Sequence, residues 1–113
     1  MRAIEKRICN VIDNRLNAKT WTRLSPRDIV HNDIGQNKLT ILLWGHDIVT
    51  IDYDKGTLRL DHNGFMTRTT KNRMNTLLAR FLLGGISQRN FCWYLNSEPY
   101  VNGTELKIAP WLF

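Results

Sequence analysis

Lys38-Leu39-Thr40-Ile41-Leu42-Leu43-Trp44-Gly45-His46-Asp47-Ile48-Val49-Thr50-Ile51-Asp52-Tyr53-Asp54-Lys55-Gly56-Thr57-Leu58-Arg59-Leu60 reads as three strands joined by two tight turns. Lys38 to Trp44 is rich in branched residues, as strands are. Alternation puts Val49, Ile51 and Tyr53 on one face of a strand from His46 to Tyr53, and Leu58 and Leu60 on one face of a strand from Thr57 to Leu60. Trp44-Gly45-His46 suits a tight bend or bulge, and Asp54-Lys55-Gly56 has the length and the glycine of a hairpin connection. The segment therefore predicts an antiparallel meander, which Asn63-Gly64 ends.

Towards the C-terminus, a helix from about Thr70 to Leu83 would bury Met74, Leu77, Leu78, Phe81 and Leu82, with Gly84-Gly85 stopping it. Phe91 to Leu95 and Glu105 to Ile108 read as two further strands, linked through turns at Pro99 and Asn102-Gly103. Towards the N-terminus, Ile4, Ile8, Val11, Ile12 and Leu16 recur at intervals of three and four, which predicts an amphipathic helix over residues 2–18. Leu24-Ser25-Pro26-Arg27-Asp28-Ile29 carries the marks of a second helix start: Ser25 as N-cap, Pro26 at the first helical position and Asp28 closing a capping box. The expected fold is α+β, a small mostly antiparallel sheet of about five strands packed against an N-terminal and a central α-helix. With no repeat or linker in 113 residues, one domain over 1–113 is expected, with an N-terminal helical segment (1–36) and a sheet-plus-helix core (37–113).

Composition narrows the function. The aromatic and apolar content is that of a folded chain. The apolar run Leu39 to Trp44 is far short of the roughly 20 residues that span a bilayer, so no membrane partner is expected. Nor does the N-terminus carry the apolar core of a secretory signal. The expected location is cytoplasm. Cys9 and Cys92 form no metal-spaced pair and read as reduced, small core residues, with a bridge between the first helix and a late strand as the less favoured alternative. The net charge of +6 is segregated: residues 62–97 carry five Lys/Arg and no acid, while residues 28–61 carry six acids against three cations. That sign excludes a DNA mimic, and a basic face attracts nucleic acid, nucleotides or an acidic protein surface.

The cations concentrate in Gly64-Phe65-Met66-Thr67-Arg68-Thr69-Thr70-Lys71-Asn72-Arg73-Met74-Asn75. A helix start carries partial positive charge, so Arg68, Lys71 and Arg73 oppose the dipole by a few tenths of a kcal/mol each. Together with free N–H groups and the Thr69 and Thr70 hydroxyls, they would make a phosphate or carboxylate site, which Asn75, one turn beyond Lys71, extends. Cations that merely face water, behind a Thr cap, are the simpler alternative. Arg89, in the polar turn Gln88-Arg89-Asn90 before Phe91-Cys92-Trp93-Tyr94, is the next candidate. Trp21, Trp44, Phe91, Trp93, Tyr94 and Trp111 could stack on bases, although core packing is favoured for Phe91 and Trp93. Trp111-Leu112-Phe113 is either tied into the core or an exposed apolar end.

His31-x-Asp33, His46-Asp47 and Asp61-His62 could build a metal-dependent nuclease, but neighbours in a regular strand face opposite ways. The sequence carries no zinc-finger, Walker A, His-Glu-x-x-His or Gly-x-Ser-x-Gly pattern. No catalytic residue, metal or cofactor is expected.

Residues 64–75 resemble a group of short bacteriophage proteins with a Gly-(Phe/Trp)-x-Thr-x-Thr-Thr-Lys-x-Arg-x-Asn motif. Gly45-His46-Asp47-Ile48, Asp54-Lys55-Gly56-Thr57, Gln88-Arg89-Asn90-Phe91-Cys92-Trp93-Tyr94 and Asn102-Gly103 look like the flanking parts of the same group. The resemblance covers about residues 40–108 and leaves the first 37 outside. It implies phage origin and a host-cytoplasm setting, and it transfers no activity. The expectation is a small basic phage accessory protein that binds nucleic acid, or an anionic part of a host nucleic-acid-processing protein, through Arg68, Thr69, Thr70, Lys71, Arg73 and Asn75 with Arg89. The alternatives are a protein-binding inhibitor of a host enzyme or defence system and a binder of a small anionic nucleotide, with the oligomeric state open.

Overall fold

The computed structural model describes residues 3–113. In chain order the elements are α1 (Ala3–Asp13), β1 (Trp21–Arg23), β2 (Asp28–Asp33), β3 (Lys38–Leu43), β4 (His46–Asp52), β5 (Thr57–Leu60), α2 (Arg68–Arg80), β6 (Ile86–Arg89), β7 (Cys92–Leu95), β8 (Glu98–Pro99) and β9 (Glu105–Lys107). The fold is α+β. Strands β1 to β5 form one antiparallel meander and β9 joins the far edge of β5, giving a six-stranded sheet. Strands β6, β7 and β8 form a second, three-stranded antiparallel sheet. The described residues thus hold nine strands where about five were expected.

One face of the large sheet makes the core. Val30, Leu39, Ile41, Leu43, Ile51, Leu58 and Leu60 are buried there. The bulge in β4 opposite Ile41 and Leu42 adds one residue to that strand, so that consecutive Ile48 and Val49 are both buried, which strict alternation forbids. Helix α2 packs on this face. Its Met74, Leu77 and Leu78 and the Phe81 that caps it are fully buried, each worth about 1.5–3 kcal/mol of apolar transfer. Helix α1 adds Ile8 and Ile12 and lies against α2. Asp13, unfavourable at the C-terminal end of α1, accepts two hydrogen bonds from Arg80, at 2.9 and 2.7 Å.

The N-terminal third departs most from the sequence reading. Of the helix expected over residues 2–18, Arg2 lies outside the described residues, α1 ends at Asp13, and Arg15–Asn17 form a single 3-10 turn. No helix starts at Ser25, and residues 1–36 are not a helical segment, because β1 and β2 lie within them. Ser25 Oγ does accept from the N–H groups of Arg27 and Asp28, both at 3.1 Å, as a cap would. However, the Leu24 N–H bonds back to the Asp28 carbonyl at 2.8 Å and closes a hairpin loop. The alternating, partly β-branched run Ile29-Val30-His31 then pairs along β3.

Helix α2 starts at Arg68 and ends at Arg80, before the expected Gly84-Gly85 stop. Leu82 adopts the left-handed conformation (φ 56°), and the Leu83 N–H returns to the Leu78 carbonyl at 2.8 Å, a Schellman-type stop without glycine. Gly84 has a different duty: a Cβ there would lie 1.8 Å from Asn96 Oδ1, and Asn96 bonds the Gly85 N–H and the Leu83 carbonyl. Trp93 is buried as expected, but Phe91 is not in a strand. Asn90 and Phe91 form the two-residue, left-handed tip of the β6–β7 hairpin, leaving Phe91 91% exposed. Cys92, expected in the core, is exposed; both cysteines are free thiols.

Candidate nucleic-acid interface

The cation-rich helix start exists, but its side chains divide into three groups. Thr67 is the N-cap, its Oγ1 accepting from the Thr70 N–H at 3.2 Å. Thr70 is fully buried, its hydroxyl 3.0 Å from that of Thr67. Arg68 is exposed, with Thr69 and Lys71 half-buried. Neither Arg68 nor Lys71 has an ion-pair partner among the described residues. No acceptor among the described residues takes the Arg68 and Thr69 N–H groups, as the first turn of a helix leaves them.

Arg73 belongs to the interior. At 100° per residue it lies about 140° around the helix from Arg68, in line with Thr70, Leu77 and Phe81 on the buried stripe. Its Nε donates to Asp28 Oδ1 at 2.7 Å and a terminal nitrogen to Oδ2 at 3.4 Å; the side chains are 3% and 1% exposed. Burial alone would raise the Asp28 pKa, but the hydrogen bonds from Arg73 and Ser25 and the Arg73 and Arg27 charges outweigh it, holding the carboxyl below its ordinary value. Asn75 is half-buried and its amide is spent on the fold, clamping α2 to β6 through the Ile86 N–H (2.6 Å) and carbonyl (3.0 Å). Arg89 lies in the small sheet, exposed, with its guanidinium 5.6 Å from the Tyr94 ring centre. Of the seven residues proposed from sequence, Arg68, Thr69, Lys71 and Arg89 therefore present side chains at the surface that the fold does not engage in hydrogen bonds or ion pairs, and only the first three share a site.

The sheet brings to this end neighbours that the sequence named but did not place beside the helix start. Trp44 and Gly45 form the β3–β4 hairpin tip, both at positive φ, with Trp44 61% exposed. The Trp44 N–H is held by the Arg27 carbonyl at 2.9 Å, which brings half-exposed Arg27 to the same end of the sheet. The exposed His46 ring lies 5.1 Å from that of Phe65, three residues before Arg68. Asn63 ties this turn to β4 by donating to the Asp47 carbonyl. One end of the domain thus carries Trp44, His46, Phe65 and Met66 beside Arg27 and Arg68. A signal was present in sequence: Phe65-Met66 follows Asn63-Gly64 and fits neither a strand nor a helix period.

The histidines have other settings. His31 stacks flat on Trp21 with ring centres 3.9 Å apart. His62 Nδ1 accepts from the Gly64 N–H at 2.9 Å, and its ring contacts Trp93 and Tyr100. Next to it, hydrogen bonds from the Asn102 side chain and the Asn63 N–H hold Asp61 below the ordinary carboxylate pKa. Among the described residues, no three His, Cys, Asp or Glu side chains come together in a way that could hold a metal ion. Nor, among the described residues, is any helix long and apolar enough to cross a membrane.

Fold and surface together define a small α+β domain with a cationic, aromatic-edged end. The chain belongs to a bacteriophage family, described as the Kyanoviridae Gp96 protein, whose model matches residues 1–107. The match takes in the N-terminal third that the motif resemblance left outside. No curated protein and no solved structure matches the chain.

Proposed function

We propose that this phage protein binds nucleic acid, or an anionic surface of a host nucleic-acid-processing protein, in the host cytoplasm and without catalysis, through the end of the domain where α2 begins. The observation that carries this reading is the pairing of unneutralised Arg68 and Lys71 on a helix start with exposed Trp44 and Phe65 alongside. Cations track a phosphate backbone and aromatic faces accept bases in stacking, a combination suited to single strands. We read the Gly64–Asn75 stretch as serving two ends: Thr67, Thr70, Arg73 and Asn75 build the helix and its seat, and Arg68 and Lys71 act outward.

The test is binding to labelled single- and double-stranded DNA and RNA over a salt series, with the protein first freed of copurifying nucleic acid. Arg68→Ala and Lys71→Ala should each weaken binding and lower the log–log salt slope by about 1, with thermal stability unchanged. No binding at low salt, or binding indifferent to both substitutions, refutes the reading.

A second reading, inhibition of a host protein, is favoured by one observation. Phe91 stands almost wholly in solvent on a left-handed hairpin tip, where a bulky residue costs stability, and such strain gathers at functional surfaces. A stoichiometric, nuclease-resistant complex weakened by Phe91→Ser would support it.

A further inference from the structure

At the far end of α2, about 18 Å from Arg68 along the helix axis, a cleft of about 800 Å³ opens. It lies between the 3-10 turn at Arg15–Asn17, Tyr53 just past β4, Arg80-Phe81 and the C-terminal Pro110–Leu112 turn. Its size falls in the range of small-molecule sites.

The polar groups of this cleft are unevenly matched. Asp13, the one carboxylate side chain lining it, is neutralised by Arg80. Arg15 has no carboxylate partner among the described residues. Its guanidinium carbon lies 3.5 Å from the Tyr53 ring centre, and one terminal nitrogen donates to the neutral Asn37 amide at 2.6 Å. The other terminal nitrogen and the Tyr53 hydroxyl are both buried with no hydrogen-bond partner among the described residues. Burial pushes the Tyr53 pKa up to about 12, against the opposing Arg15 and Arg80 charges, so its hydroxyl stays protonated. Two polar groups on stacked side chains are thus desolvated without a hydrogen-bond partner, the costly arrangement for buried polar groups. The remaining wall is aromatic: Phe113 packs on Tyr53 at 5.1 Å and on Phe81 at 6.3 Å. Trp111, at the rim, is 74% exposed.

We propose that this cleft is a binding site for a small aromatic anion of mononucleotide size, its phosphate or carboxylate accepting from Arg15 and Tyr53 and its ring resting against Trp111. An anion answers the unpaired guanidinium, a planar ring suits the aromatic wall, and the volume excludes neither. The site is separate from the α2 start, so each can fail without the other.

The probes are the four ribonucleoside monophosphates, the matching nucleosides, 4-hydroxybenzoate and inorganic phosphate, read by thermal shift and by NMR of the tryptophan side chains. A monophosphate or the aromatic carboxylate should raise the unfolding midpoint saturably, by about 6 °C at ten times its Kd. The uncharged nucleosides should not. Arg15→Gln should weaken binding at least about tenfold. Trp111→Ala, at an exposed position, should weaken it with folding intact, and Arg68→Ala should leave it unchanged. Tyr53→Phe, which deletes the unpaired hydroxyl, should stabilise the free protein and weaken the ligand. Absence of any saturable shift with all the aromatic anions, or a shift that persists undiminished in both Arg15→Gln and Trp111→Ala, would overturn the proposal.

Discussion

Arg73→Met separates an architectural arginine from a binding one. The wild-type pair joins residues 45 positions apart across the core, with both side chains at 3% exposure or less. Removing the guanidinium leaves Asp28 ionised and buried with only Ser25 and the partly exposed Arg27 for company. Breaking a buried pair in this way costs about 3–5 kcal/mol, a large part of the roughly 5–15 kcal/mol that holds a domain folded. For 113 residues the unfolding entropy is about 0.24 kcal/mol/K, so the midpoint should fall by about 13–20 °C. Asp28→Leu combined with Arg73→Met removes both charges and should recover most of the loss. Urea and thermal unfolding of wild type, both single variants and the double variant, followed by circular dichroism, give the coupling energy. The Asp28 carboxyl titrates below its unfolded value near 4. Its stabilisation is therefore complete above about pH 4 and is lost as pH falls through the lower folded pKa. The gap between wild type and Asp28→Leu should close over that acid interval and stay constant above it. An Arg73→Met loss below about 1 kcal/mol, or a coupling energy near zero, refutes the account.

Two substitutions test the loop after α2. Gly84→Ala combines a left-handed φ of 94° with a Cβ 1.8 Å from Asn96 Oδ1 and should cost about 2–4 kcal/mol, as it forces Asn96 off the Leu83 and Gly85 backbone; urea unfolding measures it. Leu82→Gly removes a left-handed, 69% exposed side chain from the helix stop and should stabilise by about 1 kcal/mol, raising the midpoint by about 4 °C in a thermal melt.

What was legible in sequence followed from periodicity and glycine. The β3–β4–β5 meander, its turns and the apolar face of α2 each rest on a local pattern that tertiary contacts reinforce. The failures sit where two local preferences compete. Ser25-Pro26-Arg27-Asp28 satisfies a helix cap and a hairpin loop with the same serine hydrogen bonds; only the partner strand β3 decides between them. Phe91 alternates correctly with Trp93, but the tight turn of the β6–β7 hairpin takes it out of the ladder, and no glycine marks the turn. Leu82 likewise stops a helix at a position where sequence rules look for glycine.

Charge along the chain does not map directly onto charge in space. The stretch 62–97 holds five cations and no acid, which reads as a strongly basic face, yet its acids are supplied from other segments. Asp28 takes Arg73 and Asp13 takes Arg80, and Arg89 stands over Tyr94 in the small sheet. Only Arg68 and Lys71 stay uncommitted at the helix start, with Arg27 alongside, held 3.7 Å from Asp28 but still 42% exposed. Three cations can neutralise about three phosphates, so the salt dependence of nucleic-acid binding should be shallow, with a log–log slope of about −2 to −3 and not the roughly −3.5 to −4.5 that five cations would give. Affinity at moderate salt would then rest mainly on stacking at Trp44 and Phe65, worth about 1–3 kcal/mol per base. Trp44→Ala should therefore reduce single-strand affinity more than Lys71→Ala does once salt is high, and leave the slope unchanged. A steep slope, or an equal loss for both substitutions at every salt concentration, would place the binding energy elsewhere on the molecule.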